Sequence, residues 1–300
     1  MQPTKKINNL FPPLPNNPNI PNWVGNGFQV GDQFLHVLSY DKNTSGWTDD
    51  LTAFHEETAG SSHFIDTASR KQAVIQLKKY CNESFPVILD IGCSSGFLIE
   101  KIKFEIPDAF VIGTDIVIGP LAKLSASRPE IPLLHFDLTT CPLPDNSVDA
   151  VVLLNVLEHI EDDALAVRQL FRILKPGGVA IIEVPAGPEL YDIYDELLMH
   201  YRRYKIKDLR NIFLNDGFSI LRQSHMGFLL YPGFFLVKQL QRTRWAKISE
   251  EEKALLVAQN INQTGKFPFF NLLMQIELTA GKVISYPFGI RCLLTAQKPP

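Results

Sequence analysis

Three carboxylates, Asp90, Asp115 and Asp137, each close a short apolar run, in VILD, FVIGTD and LLHFD. The first opens onto the loop Gly92-Cys93-Ser94-Ser95-Gly96, and the fourth run of the series ends near Asn155. Glycines there let backbone approach a ligand, and the helix that follows offers free N–H groups. A dinucleotide fingerprint requires glycine at 94 and 97, where this chain has Ser94 and Phe97. A Walker loop requires a lysine, which the stretch lacks. A carboxylate at the second strand end can accept from both hydroxyls of a ribose. Asp137 then falls within reach of an adenine edge, with Leu138 able to pack on the ring. Acids with few cations suit a cationic or neutral ligand that carries no phosphate.

The elements that must hold these acids are legible as alternating runs. Strands are expected at 87–92, 110–116, 131–137, 149–157 and 179–186, with helices at 97–104, 119–127 and 164–174 between them. Short continuous apolar strands alternating with helices predict an α/β fold, a parallel sheet covered on both faces. A further helix is expected at 206–215, closed by Gly217, with strands after it in FSILRQSHM and at 290–299. Helical spacing also runs through 50–80, with Leu51, Phe54 and His55, then Val74, Leu77 and Tyr80. The opening stretch 8–22 is rich in Asn and Pro and is expected to be extended or turn-like, an arm rather than helix or central strand. The division expected is an N-terminal extension over 1–50, a core over 51–226, a helical insertion over 227–289 and a final core strand over 290–300.

Composition sets wider bounds. The 300 residues are 45% hydrophobic and 20% charged, with a net charge of −3. That describes an ordinary globular protein with no global basic field, so nucleic acid is not an expected partner. The four cysteines, Cys81, Cys93, Cys141 and Cys292, form no C-x-x-C pair, which argues against a structural zinc site or a disulfide framework. The start has no apolar signal region, and no apolar run approaches the ~20 residues of a membrane span. The expected location is therefore cytoplasmic.

Taken together, VILDIGCSSGF, FVIGTDI, HFDLTTCPLPDNSVDAVVLLNVLEHI and ILKPGGVAIIEV resemble the successive motifs of class I S-adenosylmethionine-dependent methyltransferases. The resemblance covers roughly 85–225 and the last strand. It implies a Rossmann-like, doubly wound, seven-stranded sheet whose last strand is antiparallel. It also implies S-adenosylmethionine as cofactor and S-adenosylhomocysteine as product. In it Gly92, Ser94 and Gly96 hold the methionine part, Asp115 the ribose, and Asp137 with Leu138 the adenine. Asp90, Cys93, Ile116 and Asn155 complete the expected cofactor-binding set. Ser94 is a departure, since many members carry glycine there.

Methyl transfer from an activated sulfonium asks the protein to align the acceptor and, where needed, to remove its proton. Glu158 and His159 follow the fourth strand at the crevice, where His159 is either a general base or, with Glu158, a polar lining of the pocket. Some quinone-type O-methyltransferases that this Glu-His pair resembles bind a metal with an additional upstream acid; this chain has Asn155 instead, so no metal is expected. LLMHYRRYKIKDL resembles an H-x-R-R-Y segment that faces the acceptor in related proteins. At about 100° per residue it would place His200 and Tyr204 on one helical face, with Arg202 or Arg203 available for an anionic group. The alternative is a surface helix with charge pairs through Asp195 and Asp208.

The insertion opens with MGFLLYPGFFLVKQLQRTRWAKI (226–248), apolar residues followed by Lys238, Arg242, Arg244, Lys247 and Trp245. It reads as a lid over a substantially apolar acceptor, or as an interfacial helix. Ser249 to Glu252 form a capping-box pattern opening a helix at 250–262, with another at 269–280. The expected activity is methylation of a small or medium-sized, largely apolar acceptor, O- ahead of N-methylation. The alternatives are a membrane-surface enzyme acting on a lipid-linked substrate, with peripheral contact through 226–248, and a non-catalytic partner protein of the same fold.

Overall fold

The computed structural model describes residues 10–41, 63–245 and 268–300. The expected helix at 250–262, its capping box, and the helical spacing at Leu51, Phe54 and His55 lie outside the described residues. The same holds for the side chains of Arg242, Arg244, Trp245 and Lys247.

The core begins with helix α1 (Phe64–Tyr80), followed by β5 (Val87–Ile91), α2 (Phe97–Glu105), β6 (Phe110–Asp115), α3 (Ile118–Ser127) and β7 (Leu133–His135). The chain then returns to the other side of β5 with β8 (Val148–Leu154), α4 (Asp163–Ile173) and β9 (Leu174–Pro185). Short α5 (Ile193–Leu197) and α6 (Ile206–Asn215) precede β10 (Ser219–Met226). Two lid helices, α7 (Tyr231–Trp245) and α8 (Pro268–Ala280), lead to β11 (Arg291–Gln297). β11 lies antiparallel between β9 and β10, while β5 to β9 are parallel.

Strand alternation explains why the sheet is covered on both sides. Leu89, Val151, Leu153 and Ile182 join one apolar cluster, with Val167 and Leu170 of α4 and Phe213 of α6. Their neighbours Ile88, Val152 and Ile181 join another, with Leu77 of α1, Ile99 of α2 and Leu121 of α3. A period of two on a sheet buried twice yields a continuous apolar run in the sequence.

The sheet has eight strands rather than seven. Its order is β10-β11-β9-β8-β5-β6-β7-β4, and the extra edge is β4 (Val37–Ser39), parallel to β7. Before it, β1 (Asn22–Trp23), β2 (Phe28–Val30) and β3 (Gln33–Leu35) make a small antiparallel sheet. Phe11, Phe28, Val30 and Leu38 are buried in the same cluster as Leu89, so the Pro-rich stretch leads into a segment that covers the core. Three-residue strands parted only by Gly31-Asp32 and by His36 carry too little periodicity to announce an added strand.

Candidate functional site

The chain reverses direction across the sheet between β5 and β8, and the crevice beyond their carboxyl ends is where an α/β sheet binds ligands. A cavity of about 530 Å³ occupies it. Its first half is built from strand ends. Gly92, Ser94, Asp115, Ile116, Asp137, Leu138 and Asn155 all line it. Gly92 has φ 75°, and a Cβ there would meet Val156 at 2.6 Å. Ser94 adopts φ 46°, a left-handed conformation natural to glycine. The Ser94 and Val117 amides donate to the two carboxylate oxygens of Asp115, each at 3.0 Å. Each oxygen keeps a second lone pair. Burial nonetheless pushes the Asp115 carboxyl above its ordinary range, against those bonds. Asp137 Oδ1 accepts from the Thr139 amide and hydroxyl, both at 2.8 Å, which fixes the turn carrying Leu138.

Asp90, Cys93 and Gly96 are placed differently from the rest of the expected set. None lines the cavity. Asp90 is buried beneath the loop, and burial followed by the charge of Asp115 raises its carboxyl to about 8. The Cys93 thiol packs into the core, 2.9 Å from where a Cβ on Gly113 would sit, and burial raises its pKa well above the usual range. Gly96 opens α2 in a left-handed conformation. These three shape the loop from behind because their side of the strand end faces the helix layer.

The second half of the cavity gathers residues far apart in sequence. Glu158 and His159 sit on a tight turn after β8, His200 and Arg203 follow β9, and Phe234, Val237 and Lys238 come from α7. Glu158 is completely buried, and burial raises its carboxyl to about 8. The rings of His159 and His200 meet edge to face at 4.6 Å. One donor atom from each of Glu158, His159 and His200 lies within 4.8 Å of the other two. The sequence expectation of no metal rested on Asn155 standing where an acid would complete the set; in the structure His200 is the third group beside Glu158 and His159.

The segment 199–205 is not helical, so His200 and Tyr204 do not share a helical face. The extended backbone pairs Ala186 with Tyr204, and turns the Tyr204 ring inward. Its hydroxyl lies 2.8 Å from Asp163 Oδ2 and 3.1 Å from the Leu157 carbonyl, away from the cavity. Burial and then the Asp163 charge push that phenol far above its ordinary range. His200 remains on the cavity, its Nδ1 2.8 Å from Asp195 Oδ1. Asp195 is not a surface charge partner but a fully buried acid, also reached by Arg203 Nε at 2.8 Å. Burial alone would raise Asp195, yet the hydrogen bond from His200 and the Arg203 charge bring it down to about 2. Arg202 pairs with Asp163 at 2.9 Å.

Sequence reasoning missed Asp192 and Arg291. Asp192 caps α5 reciprocally with Asp195, and its carboxylate meets Lys238 of the lid at 2.6 Å. The D-x-x-D spacing is a capping-box signal that would have placed both acids at a helix start. Arg291 lies on the cavity wall and is paired with Glu183 at 2.5 Å and Asp66 at 2.9 Å. Its partners lie on α1 and β9, a conjunction no local pattern encodes.

A family model described as a methyltransferase domain matches residues 89–182, the span from β5 to β9 that carries the strand-end acids. Residues 89–182 are thus similar to a methyltransferase domain. A probable S-adenosylmethionine-dependent methyltransferase of Mycolicibacterium smegmatis is 33% identical over 138 residues, covering 44% of this chain and 52% of its own length. A demethylmenaquinone methyltransferase of Streptomyces avermitilis is 28% identical, covering 54% of this chain and 69% of its own. The solved structure of a putative sarcosine dimethylglycine methyltransferase from Galdieria sulphuraria shares the fold, with a TM-score of 0.56 at 15% identity, covering 84% of this chain and 99% of its own. The chain spans about half the length of the first curated relatives it matches. The matched span of the methyltransferase domain model ends before α5, so it contains the strand-end half of the cavity but not His200, Arg203 or Lys238.

The residues present fit S-adenosylmethionine, the cofactor of this domain class. Among the described residues, the strand-end half offers acids and loop backbone, with no lysine or arginine for a phosphate. Among the described residues no helix is long and apolar enough to cross a membrane.

Proposed function

We propose that this chain transfers a methyl group from S-adenosylmethionine to a small or medium-sized, largely apolar acceptor, with oxygen ahead of nitrogen as the receiving atom. The observation that carries this is the continuity of one cavity from Asp115 and Asp137 to Glu158, His159 and His200 and on to Phe234 and Val237 of the lid. When bound, the cofactor supplies a methyl group already activated on a sulfonium. Asp115 accepts from the ribose hydroxyls, while Asp137 and Leu138 hold the adenine. The loop from Gly92 to Ser94 holds the methionine part, and Asp90, Cys93 and Gly96 support that loop from below. Ile116 and Asn155 complete the wall.

The chain's remaining task is to align the acceptor and handle its proton. Phe234, Val237, Tyr194 and Leu198 give that end an apolar wall. The acceptor's reacting atom is placed beside the Glu158–His159–His200 group, with Asp195 and Arg203 holding His200 in place. Tyr204 supports the turn that carries Glu158. Calorimetric titration with S-adenosylmethionine and with NADH tests the reading. Micromolar S-adenosylmethionine binding is expected, and NADH binding in its absence would overturn the proposal.

A second reading is favoured by the lid surface. Leu236, Leu240, Phe269 and Leu272 expose 58–64% of their area on α7 and α8. Such faces suit an enzyme that works at a membrane surface on a lipid-linked acceptor. Sedimentation with anionic liposomes separates the two, since a protein left wholly in the supernatant speaks for the soluble acceptor.

A further inference from the structure

Beside the acceptor half of the cavity stands a buried acid whose carboxylate has no hydrogen-bond partner among the described residues. Glu158 has no exposed area, and neither of its carboxylate oxygens finds a hydrogen-bond partner among the described residues. The residue borders the acceptor end of the cavity, beside His159 and His200. A buried carboxylate without donors is costly, and a ligand that supplies positive charge removes the cost.

What surrounds Glu158 has the chemistry of a metal site. His159 and His200 bring their donor atoms within 4.8 Å of it and of each other. An ion held at roughly 2.1 Å by nitrogen and oxygen ligands spans donors up to about 4.2 Å apart, so side-chain shifts below one ångström close the set. Behind His200 stands a second layer. Asp195 accepts from Nδ1–H at 2.8 Å, which leaves Nε2 as the ring's lone-pair nitrogen. Asp195 is itself immobilised by Arg203 Nε at 2.8 Å and by the Asp192 amide at 3.0 Å. A carboxylate behind a ligating imidazole is the arrangement that fixes tautomer and orientation at metal centres.

We propose that Glu158, His159 and His200 bind one divalent transition-metal ion, of the zinc class, at the acceptor end of the cavity. Two imidazoles and one carboxylate suit such an ion, and three protein ligands leave a coordination position for an acceptor oxygen. Resting on the methyltransferase reading, the inference assigns the acceptor a hydroxyl or enol oxygen whose proton affinity the ion lowers, with the proton passing to solvent. Both histidines then act as ligands rather than as bases. The third donor arrives from beyond β9, outside the residues matched by the family model.

The test is titration of chelator-treated full-length protein with cobalt(II), followed by visible absorption and by metal analysis after desalting. One cobalt per chain with an intense ligand-field spectrum is expected, with displacement by zinc. His200→Ala and Glu158→Gln are expected to weaken cobalt binding at least about 100-fold, and Asp195→Asn about 10–100-fold. Where Glu158→Gln or Asp195→Asn lowers the yield of folded protein, His159→Ala carries the comparison, since that ring is only half-buried. Absence of stoichiometric cobalt and zinc, or binding in His200→Ala and His159→Ala as strong as in the unsubstituted protein, overturns the site. S-adenosylmethionine binding is measured on the same chelated protein. Its loss with cobalt binding intact would defeat the methyltransferase reading and leave the metal site standing.

Discussion

The two halves of the cavity are built on opposite plans. The strand-end half takes its residues from consecutive strands, each acid closing a run that is itself part of the sheet. The lid half draws on three segments separated by about 40 residues each, around Glu158, around His200 and around Lys238. In the first half the hydrogen bonds are backbone-made, as with Asp115 and the amides of Ser94 and Val117. In the second they join side chains to one another, within residues 195–203 in the His200–Asp195–Arg203 group and across segments in the Lys238–Asp192 pair. A site made of strand ends persists while the sheet persists. A site made of docked segments can change its ligand while the sheet stays the same.

That contrast can be broken by four substitutions. The largest expected effect is at the lid half. His200→Ala should lower turnover about 10²–10⁴-fold while leaving S-adenosylmethionine affinity within about threefold, read by kinetics and calorimetry. A comparable loss of cofactor affinity would mean that the halves are not separable. Asp115→Asn should do the converse, weakening S-adenosylmethionine about 10–100-fold, the equivalent of losing a charge-assisted hydrogen bond. Tyr204→Phe leaves the Asp163 carboxylate and Leu157 carbonyl without its hydroxyl. It should cost about 1 kcal/mol, a melting shift of a few degrees, with turnover unchanged, as befits a residue that braces the turn without touching the cavity. Ser94→Gly should have the smallest effect. Relief of a left-handed serine opposes the added chain entropy of glycine, so stability should change by less than about 1 kcal/mol and cofactor affinity by less than about threefold.

Much of the sheet was legible because doubly buried strands are continuous apolar runs, as VILDI and AVVLL show. The edge strand β4 was not, since three residues pairing with β7 leave no period to detect. At the site, Asp115 and Asp137 could be read as a pair because each ends a recognisable strand. Asp90 and Cys93 were read with them, yet position in a loop does not say which side of the backbone meets the cavity. Tyr204 was grouped with His200 by helical spacing, and the segment proved extended, held by its pairing with Ala186.

The sequence by itself determined the order of strands and helices, the acids at the strand ends and the glycine-bearing loop, because those depend on local periodicity and turn chemistry. Only the tertiary structure decided that His200 stands beside Glu158, that Asp195 is buried behind it, and that Lys238 reaches down from the lid to Asp192. Those contacts depend on how distant segments dock, and docking is settled by the summed burial of surfaces that no short window contains.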